Sequence, residues 1–152
     1  MHSLTKLTAF IAESNLIEGI HRPPTEAEIA AAEKFIKGKT TVESLNAMQA
    51  VFAPDRPLRT YVGMDVRVGN YIAPKGWPQI LPRLEEIVAQ TYTSKDPWAV
   101  HCEFESLHPY QDGNGRTGRM LWARHMLALA HNPFALPFLH RFYYQALEHV
   151  AK

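Results

Sequence analysis

The stretch HPYQDGNGRTGR, from His108 to Arg119, is the strongest local signal in the sequence, because its twelve residues hold three glycines, two arginines, one Asp and one Asn. Glycine lets an anion approach the backbone closely, and a Gly-rich turn that leads into a helix is a common phosphate-binding element. The stretch therefore predicts a phosphate site. Several unrelated phosphate loops share this composition, so the surrounding sequence has to distinguish them.

Three familiar loops do not fit the context of this stretch. Its glycines satisfy G-x-G-x-x-G, but a dinucleotide loop follows a strand and has an acidic residue about twenty positions later. Here the preceding segment predicts a helix, and no Asp or Glu occurs from residue 113 to 147. A calcium loop starting at Asp112 would need oxygen ligands where Arg116 and Ala123 stand, and the Gly-Lys-Ser/Thr ending of a Walker loop is absent. A tight, Gly-rich turn between helices remains the simpler alternative.

The polar residues of the stretch favour a bound polyphosphate over a simple turn. Arg116 and Arg119 lie three apart and project to one face of a first helical turn, where two guanidinium groups suit a polyphosphate. Asp112 is the one carboxylate, and Mg²⁺ bound to phosphates needs only one or two. His108 titrates near neutral pH and is a candidate general base.

Most of the chain predicts helices, because apolar residues recur at helical spacing. Candidate capping boxes at Thr25 with Glu28 and at Thr40 with Glu43 mark two helix starts, and Gly19 marks the end of the first helix. The predicted helices cover approximately residues 3–18, 25–37, 40–54, 78–91, 96–107, 114–130 and 138–150.

One segment predicts two short strands instead, because β-branched residues occur there together with glycines. Its marker residues are Val62, Gly63, Val66, Val68, Gly69 and Ile72. We expect one hairpin, and therefore a mainly α fold with a single domain over residues 1–152.

Composition limits the classes of function. A formal net charge of +1 gives no case for nucleic acid, and no apolar run is long enough to span a membrane. Cys102 is the single cysteine, which predicts a reducing, cytoplasmic location. Cys102 and His101 offer too few ligands for zinc, so we interpret both as core or helix-face residues. The chain gives no sign of its oligomeric state, and a homo-oligomer is possible.

The stretch from His108 to Arg119 resembles the Fic-domain signature H-x-F-x-[D/E]-G-N-G-R-x-x-R, and its one departure is Tyr110 for Phe. In the family this ring anchors the loop in the core, so the change is conservative. VRVGNYIAP resembles the flap hairpin of that family, and RFYYQALEHV resembles its closing helix. The resemblance implies a single Fic-type helical domain with a short flap.

The resemblance also implies an adenylyltransferase, which moves AMP from ATP to a Tyr, Thr or Ser hydroxyl of a target protein. It implies that His108 is the base, that Asp112 holds Mg²⁺ and that Arg119 grips the γ-phosphate of ATP. The other implied nucleotide-binding residues are Gly113, Asn114, Gly115, Arg116 and, for the adenine ring, Tyr144. The implied target-docking flap consists of Asp65, Val66, Arg67, Val68, Gly69 and Asn70.

Gly115 separates branches of the family that the sequence resembles. A small branch has Lys at this place and transfers phosphate, so Gly115 favours AMP transfer. Removal of AMP, transfer from another nucleotide or a phosphocholine donor, and a nucleotide-binding interaction module without catalysis remain open alternatives.

SNLIEG, from Ser14 to Gly19, is a second motif at the other end of the chain. Ser14 and Glu18 lie four apart on one helix face, and a Glu in the last turn of a helix is disfavoured by the helix dipole. The motif resembles the inhibitory pattern [S/T]-x-x-x-E-[G/N] of the same family. That resemblance implies a Glu18–Arg119 ion pair that blocks the γ-phosphate position, whereas the simpler interpretation is an exposed helix end.

Overall fold

Residues 4–68 and 70–134, with Tyr143 and Leu147, are the part of the 152-residue chain that the computed structural model describes. They form six α-helices and one antiparallel hairpin, so the predicted mainly α fold is confirmed. In chain order the elements are α1 (Leu4–Ile17), α2 (Glu26–Lys37), α3 (Val42–Phe52), β1 (Arg67–Val68), β2 (Tyr71–Ile72), α4 (Ile80–Gln90), α5 (Pro97–Leu107) and α6 (Asn114–Ala128).

The first two helices follow their sequence signals. After α1 the chain turns at Gly19, whose φ of 74° is in the left-handed region that glycine tolerates, and the Gly19 amide donates to the Leu16 carbonyl at 3.0 Å. Thr25 caps α2 by accepting from the Glu28 amide at 3.1 Å, and the Glu28 carboxylate accepts from the Thr25 amide at 2.7 Å. Such a cap contributes about 1 kcal/mol. The turn at Gly19 leaves Glu18 directly after the last helical residue.

The capping box predicted for the third helix is wrong by one residue. The cap of α3 is Thr41, whose hydroxyl accepts from the Ser44 amide at 3.0 Å while the Ser44 hydroxyl accepts from the Thr41 amide at 3.0 Å. A serine completes the box, so a search for Thr followed by Glu finds Thr40 and Glu43 instead. Thr40 is buried before the cap, and Glu43 lies in the first turn of α3.

The predicted hairpin is present, but it is shorter than expected. Val62, which we expected in a strand, lies in an exposed turn, because Gly63 at φ 89° reverses the chain before the first strand begins. The register pairs Arg67 with Ile72 and Val68 with Tyr71.

The second half of the chain follows the predicted order of helices. Asp96 caps α5 by accepting from the Trp98 amide at 3.3 Å, and α6 ends two residues before the expected Ala130. The helix expected over residues 138–150 lies outside the described residues, except for Tyr143 and Leu147, which are helical.

The core gathers where α5 packs against α4 and α6, and α6 in turn contacts α1, α2 and α3. Phe104 and Leu107 of α5 and Leu121 of α6 are among its buried side chains. Each fully buried side chain of this kind contributes about 1.5–3 kcal/mol relative to an exposed one. This packing brings the end of α5, the start of α6 and the end of α1 together. None of the described helices is long and apolar enough to cross a membrane.

Candidate active site

His108 follows the last residue of α5 in a left-handed conformation, with φ 51° and ψ 61°. Its amide donates to the Phe104 carbonyl at 2.9 Å, and its carbonyl accepts from Arg59 Nε at 2.7 Å. A residue with a β-carbon is disfavoured in this conformation, so the two hydrogen bonds hold a strained backbone in place. Burial lowers the pKa of His108, and the Arg59 charge lowers it further. The imidazole is therefore neutral at pH 7, as a proton acceptor must be.

Tyr110 anchors the loop that joins α5 to α6. Its ring is fully buried beside Phe104, with ring centroids 6.5 Å apart, and its hydroxyl donates to Asn46 Oδ1 at 2.6 Å. The Asn114 side chain accepts from the Tyr110 amide and donates to the Tyr110 carbonyl, both at 2.8 Å. These bonds occupy the Asn114 side chain, so its backbone amide is the group that can face a ligand.

The start of α6 has no side-chain cap. The amide of Gly113 donates to Asp112 Oδ1 at 2.7 Å, and the first turn of a helix otherwise leaves its amides without intrahelical acceptors. Gly113 has φ 76°, and a β-carbon there would lie 2.9 Å from the Ala53 β-carbon. A β-carbon on Gly115 would overlap the Glu18 carboxylate. The positive φ and the Ala53 contact require glycine at position 113, whereas a β-carbon at position 115 would displace the ends of the Glu18 and Arg119 side chains.

Arg116 and Arg119 line one cavity, but their surroundings differ. Arg116 is half-buried and donates from Nη1 to the Phe52 carbonyl at 2.8 Å, at the end of α3.

Arg119 is fully buried and is bound by the end of α1. Its Nε donates to Ser14 Oγ at 2.6 Å, and its Nη2 donates to the Ser14 carbonyl at 3.0 Å and to Glu18 Oε1 at 2.8 Å. The Tyr143 ring lies 4.8 Å from its guanidinium carbon. Burial alone would lower the pKa of Arg119, but Tyr143, Glu18 and Glu105 raise it above its usual value. The structure thus brings Ser14 and Glu18 to Arg119, although about a hundred residues separate them in the chain.

A buried polar cluster lies behind Arg119. His101 contacts the Gly118 carbonyl through Nδ1 at 3.0 Å and the Tyr143 hydroxyl through Nε2. Burial, and then the Arg119 charge, lower the pKa of His101 to about 3. Burial raises the pKa of Glu105 to about 8, although Arg119 acts in the opposite direction. Both groups are therefore mainly uncharged at neutral pH, and His101 is a core residue.

The hairpin forms one wall of the cavity. Asp65 holds its base, since Asp65 Oδ1 accepts from the Gly76 amide at 2.9 Å, and Asn70 is exposed. Gly69 lies outside the described residues. The flap residues that line the cavity are Val66, Arg67 and Val68.

One cavity of about 530 Å³ joins these parts. It brings together the predicted residues His108, Asp112, Gly113, Asn114, Gly115, Arg116, Arg119 and Glu18. Tyr144, the residue expected to contact adenine, lies outside the described residues. The roles predicted for these residues stay predictions.

Sequence reasoning missed several lining residues. Glu105 and Ser106 precede His108 on α5 and face the same cavity, as do Tyr71 on β2 and Tyr143. The helical spacing of three between Glu105 and His108 was the available signal. Arg59, which binds the His108 carbonyl from outside this cavity, was also missed, and its only sequence signal was its place before the hairpin.

Comparison with known protein families gives one match to the chain that holds this site. The family model described as the Fic/DOC family matches residues 23–126, which is more than half of the chain. The matched region includes the hairpin and the loop from His108 to Arg119, but not the segment from Ser14 to Gly19. A search of curated proteins gives no match to the chain.

Proposed function

The chain belongs to the Fic/DOC family, whose members generally transfer nucleotides or related groups onto proteins, and from this premise we propose that it moves AMP from ATP to a hydroxyl side chain of a target protein. The observation that carries the proposal is that His108, Asp112, the uncapped start of α6 and both arginines of the loop line one cavity. A turn between helices would need none of these polar groups in contact with one space.

The first step is proton transfer at the target hydroxyl. Neutral His108 takes the proton, and the hydroxyl oxygen forms a bond to the α-phosphorus of ATP. The bond between the α-phosphorus and the bridging oxygen breaks, and pyrophosphate leaves with that electron pair. Fixed donors near the developing charge lower the barrier of such transfers, and the α6 amides and Arg116 are the donors available here.

Asp112 fits the part of a magnesium ligand. It supplies one carboxylate on the cavity wall, and Mg²⁺ held mainly by substrate phosphates requires only one or two. When bound, Mg²⁺ would neutralise charge on the α- and β-phosphates. Among the described residues, no group of three His, Cys, Asp or Glu side chains is placed to hold a metal ion without such a substrate.

Arg119 and Gly115 support binding of the γ-phosphate. Arg119 Nη1 is buried and has no hydrogen-bond partner among the described residues, and a β-carbon on Gly115 would lie 2.9 Å from it. A phosphate oxygen could approach this nitrogen only because Gly115 lacks a side chain. The same lack of a side chain favours AMP transfer over the phosphate transfer of the Lys-bearing branch.

We further propose that Glu18 inhibits the enzyme from within the chain. Its carboxylate occupies the anion position on Arg119, and the Glu18 side chain is 28% exposed while that of Arg119 is fully buried. An ATP γ-phosphate would have to displace Glu18 to reach Arg119. Because Glu18 is the more exposed partner, it is the group that can leave.

The test is protein labelling in a cell lysate with ATP labelled at the α- or the γ-phosphate. We expect Glu18→Gly to label proteins from the α-label at least tenfold faster than wild type. In the Glu18→Gly background, His108→Ala should reduce labelling by about 10²–10⁴-fold, which is the usual contribution of a general base. His21→Ala, at an exposed histidine, is the control.

Each contrary outcome identifies a different error. Labelling from the γ-phosphate would indicate a kinase, and loss of AMP from pre-labelled protein would indicate the reverse reaction. Absence of labelling by every variant would rule out transfer from ATP to proteins and leave another donor or a binding module.

A further inference from the structure

Arg59 is a fully buried arginine whose side chain binds main-chain oxygens. Its four hydrogen bonds, of 2.6–3.1 Å, all end on backbone carbonyls. Within residues 4–68 and 70–134, no carboxylate lies at ion-pair distance from it. A buried charge is unfavourable unless its donors are satisfied, so these four carbonyls are what keeps the Arg59 guanidinium stable inside the fold.

Two of the acceptors flank the hairpin. Nη1 donates to the Met64 carbonyl at 3.1 Å, before β1, and to the Pro74 carbonyl at 2.6 Å, after β2. The Trp77 amide also donates to the Arg59 carbonyl at 3.0 Å. Arg59 therefore closes the base of the loop that carries the hairpin.

The other two acceptors belong to the end of α5. Nη2 donates to the Leu107 carbonyl at 2.9 Å and Nε donates to the His108 carbonyl at 2.7 Å, while the Arg59 amide donates to the Pro109 carbonyl at 2.9 Å. One residue thus binds three consecutive residues at the start of the catalytic loop. The middle one, His108, is the residue in the strained left-handed conformation.

We propose that Arg59 is a positioning residue that couples the hairpin to His108. This inference rests on the proposed function, in which a target hydroxyl meets the His108 imidazole beside the hairpin wall. A single rigid guanidinium sets the distance between that wall and the imidazole. ATP makes no use of this link, because Arg59 lies outside the cavity that holds the phosphate-binding residues.

Lysine cannot replace Arg59 in this position. A guanidinium presents five donors in one plane, so it can bind four carbonyls on two segments at once. An ammonium group is a compact point donor with at most three hydrogen bonds. Arg59→Lys keeps the charge and removes the planar link, which makes it the informative variant.

The experiment compares Arg59→Lys with Arg56→Lys, both in the Glu18→Gly background. Arg56 is exposed and lies three residues earlier, so it is a matched control. The Ala73 amide donates to the Val66 carbonyl across the hairpin at 3.2 Å, so its exchange reports on the hairpin as that of Trp77 reports on the base. Three quantities are measured: hydrogen exchange at the Ala73 and Trp77 amides, affinity for a non-hydrolysable ATP analogue with Mg²⁺, and the initial rate of protein labelling at saturating ATP.

We expect Arg59→Lys to accelerate exchange of the Ala73 and Trp77 amides at least tenfold and to slow labelling at least tenfold. Affinity for the ATP analogue should stay within twofold of the Arg56→Lys control. Exchange in α4 should not change, and melting should remain cooperative, because α4 offers no acceptor to Arg59 and three of the four acceptors, at Met64, Pro74 and His108, lie outside the helices.

Three results would overturn the proposal. Exchange and labelling within twofold of the control would show that Arg59 couples nothing. ATP affinity that falls as far as the labelling rate, or loss of cooperative melting, would show a general structural role. If none of the proteins, including the Glu18→Gly parent, labels any protein, the proposed transfer fails, and hydrogen exchange alone still decides whether Arg59 links hairpin and loop.

Discussion

Two fully buried arginines, Arg59 and Arg119, contact the start and form the end of the loop from His108 to Arg119, and they are bound in different ways. Arg59 donates to four main-chain carbonyls, which belong to the framework of the fold. Arg119 donates to Ser14 and to the carboxylate of Glu18, which is partly exposed. A backbone carbonyl cannot leave without local unfolding, whereas a side-chain carboxylate can rotate into solvent.

These different acceptors indicate that the contacts of Arg59 are permanent and that one contact of Arg119 is exchangeable. The partners of Arg59 fix geometry, and all of them are neutral. One partner of Arg119 is an anion at a place where the proposed substrate also carries an anion. The neighbours of Arg119 include titratable groups, namely Glu105, His101 and Tyr143, so its surroundings should respond to pH.

The largest expected effect comes from Arg119→Met, which removes the exchangeable site altogether. In the Glu18→Gly background we expect protein labelling to fall by about 10²-fold or more, because methionine has no hydrogen-bond donor for the γ-phosphate that Arg119 is proposed to bind. Initial rates of labelling from α-labelled ATP measure the effect. A rate within threefold of the Glu18→Gly parent would show that Arg119 does not bind substrate.

A smaller effect should appear in the pH dependence of stability near Arg119. The pKa of Glu105 is raised to about 8 in the fold from a usual 4.5. Its contribution to stability is therefore fully present below pH 4.5 and is lost as the pH rises through 8. Glu105→Gln should remove this loss. Between pH 5 and pH 8.5 the Tm of wild type should therefore fall by roughly 5–10 °C more than the Tm of the variant.

Thermal melts of both proteins at pH 5 and pH 8.5 measure this difference. The control is Glu85→Gln, at an exposed glutamate on α4. If the Tm of wild type and that of Glu105→Gln change equally with pH, the interpretation of Glu105 as a neutral buried acid is wrong.

The smallest expected effect distinguishes the two partners of Arg119. Ser14 is buried, so Ser14→Ala leaves Nε of Arg119 without its acceptor and should cost about 1–3 kcal/mol. Glu18→Gln should cost less, because the carboxylate is partly exposed. Saturating ATP analogue should restore the Tm lost in Glu18→Gln but not that lost in Ser14→Ala. A larger loss of Tm for Glu18→Gln would reverse the assignment of the exchangeable partner.

The sequence predicted the parts of the fold that depend on local signals. The left-handed turn at Gly19, the cap at Thr25 and the start of α5 after Asp96 all result from contacts within a few residues. The third cap was misplaced because Ser44 can serve where Glu was expected. Val62 was misplaced because the chain reverses at Gly63 before any strand forms.

The sequence predicted those residues of the candidate site that belong to a recognisable motif. It did not predict the residues that reach the site because distant segments pack together. The loop from His108 to Arg119 carries its chemistry in its own sequence, and the Ser14–Gly19 motif added a partner through family resemblance. Arg59 has no such motif, because its acceptors are backbone carbonyls and carry no side-chain signature. Glu105 is an ordinary helical glutamate in the sequence, and only burial between α5 and α6 makes it an uncharged acid.

In the proposed inhibited state, Glu18 occupies the place of an ATP phosphate on Arg119. Calorimetric titration of wild type, Glu18→Gln and the Glu85→Gln control with a non-hydrolysable ATP analogue and Mg²⁺ measures this competition. We predict that Glu18→Gln binds at least tenfold more tightly than the other two, which corresponds to about 1.4 kcal/mol. Equal affinities of all three proteins would show that Glu18 does not compete with the nucleotide.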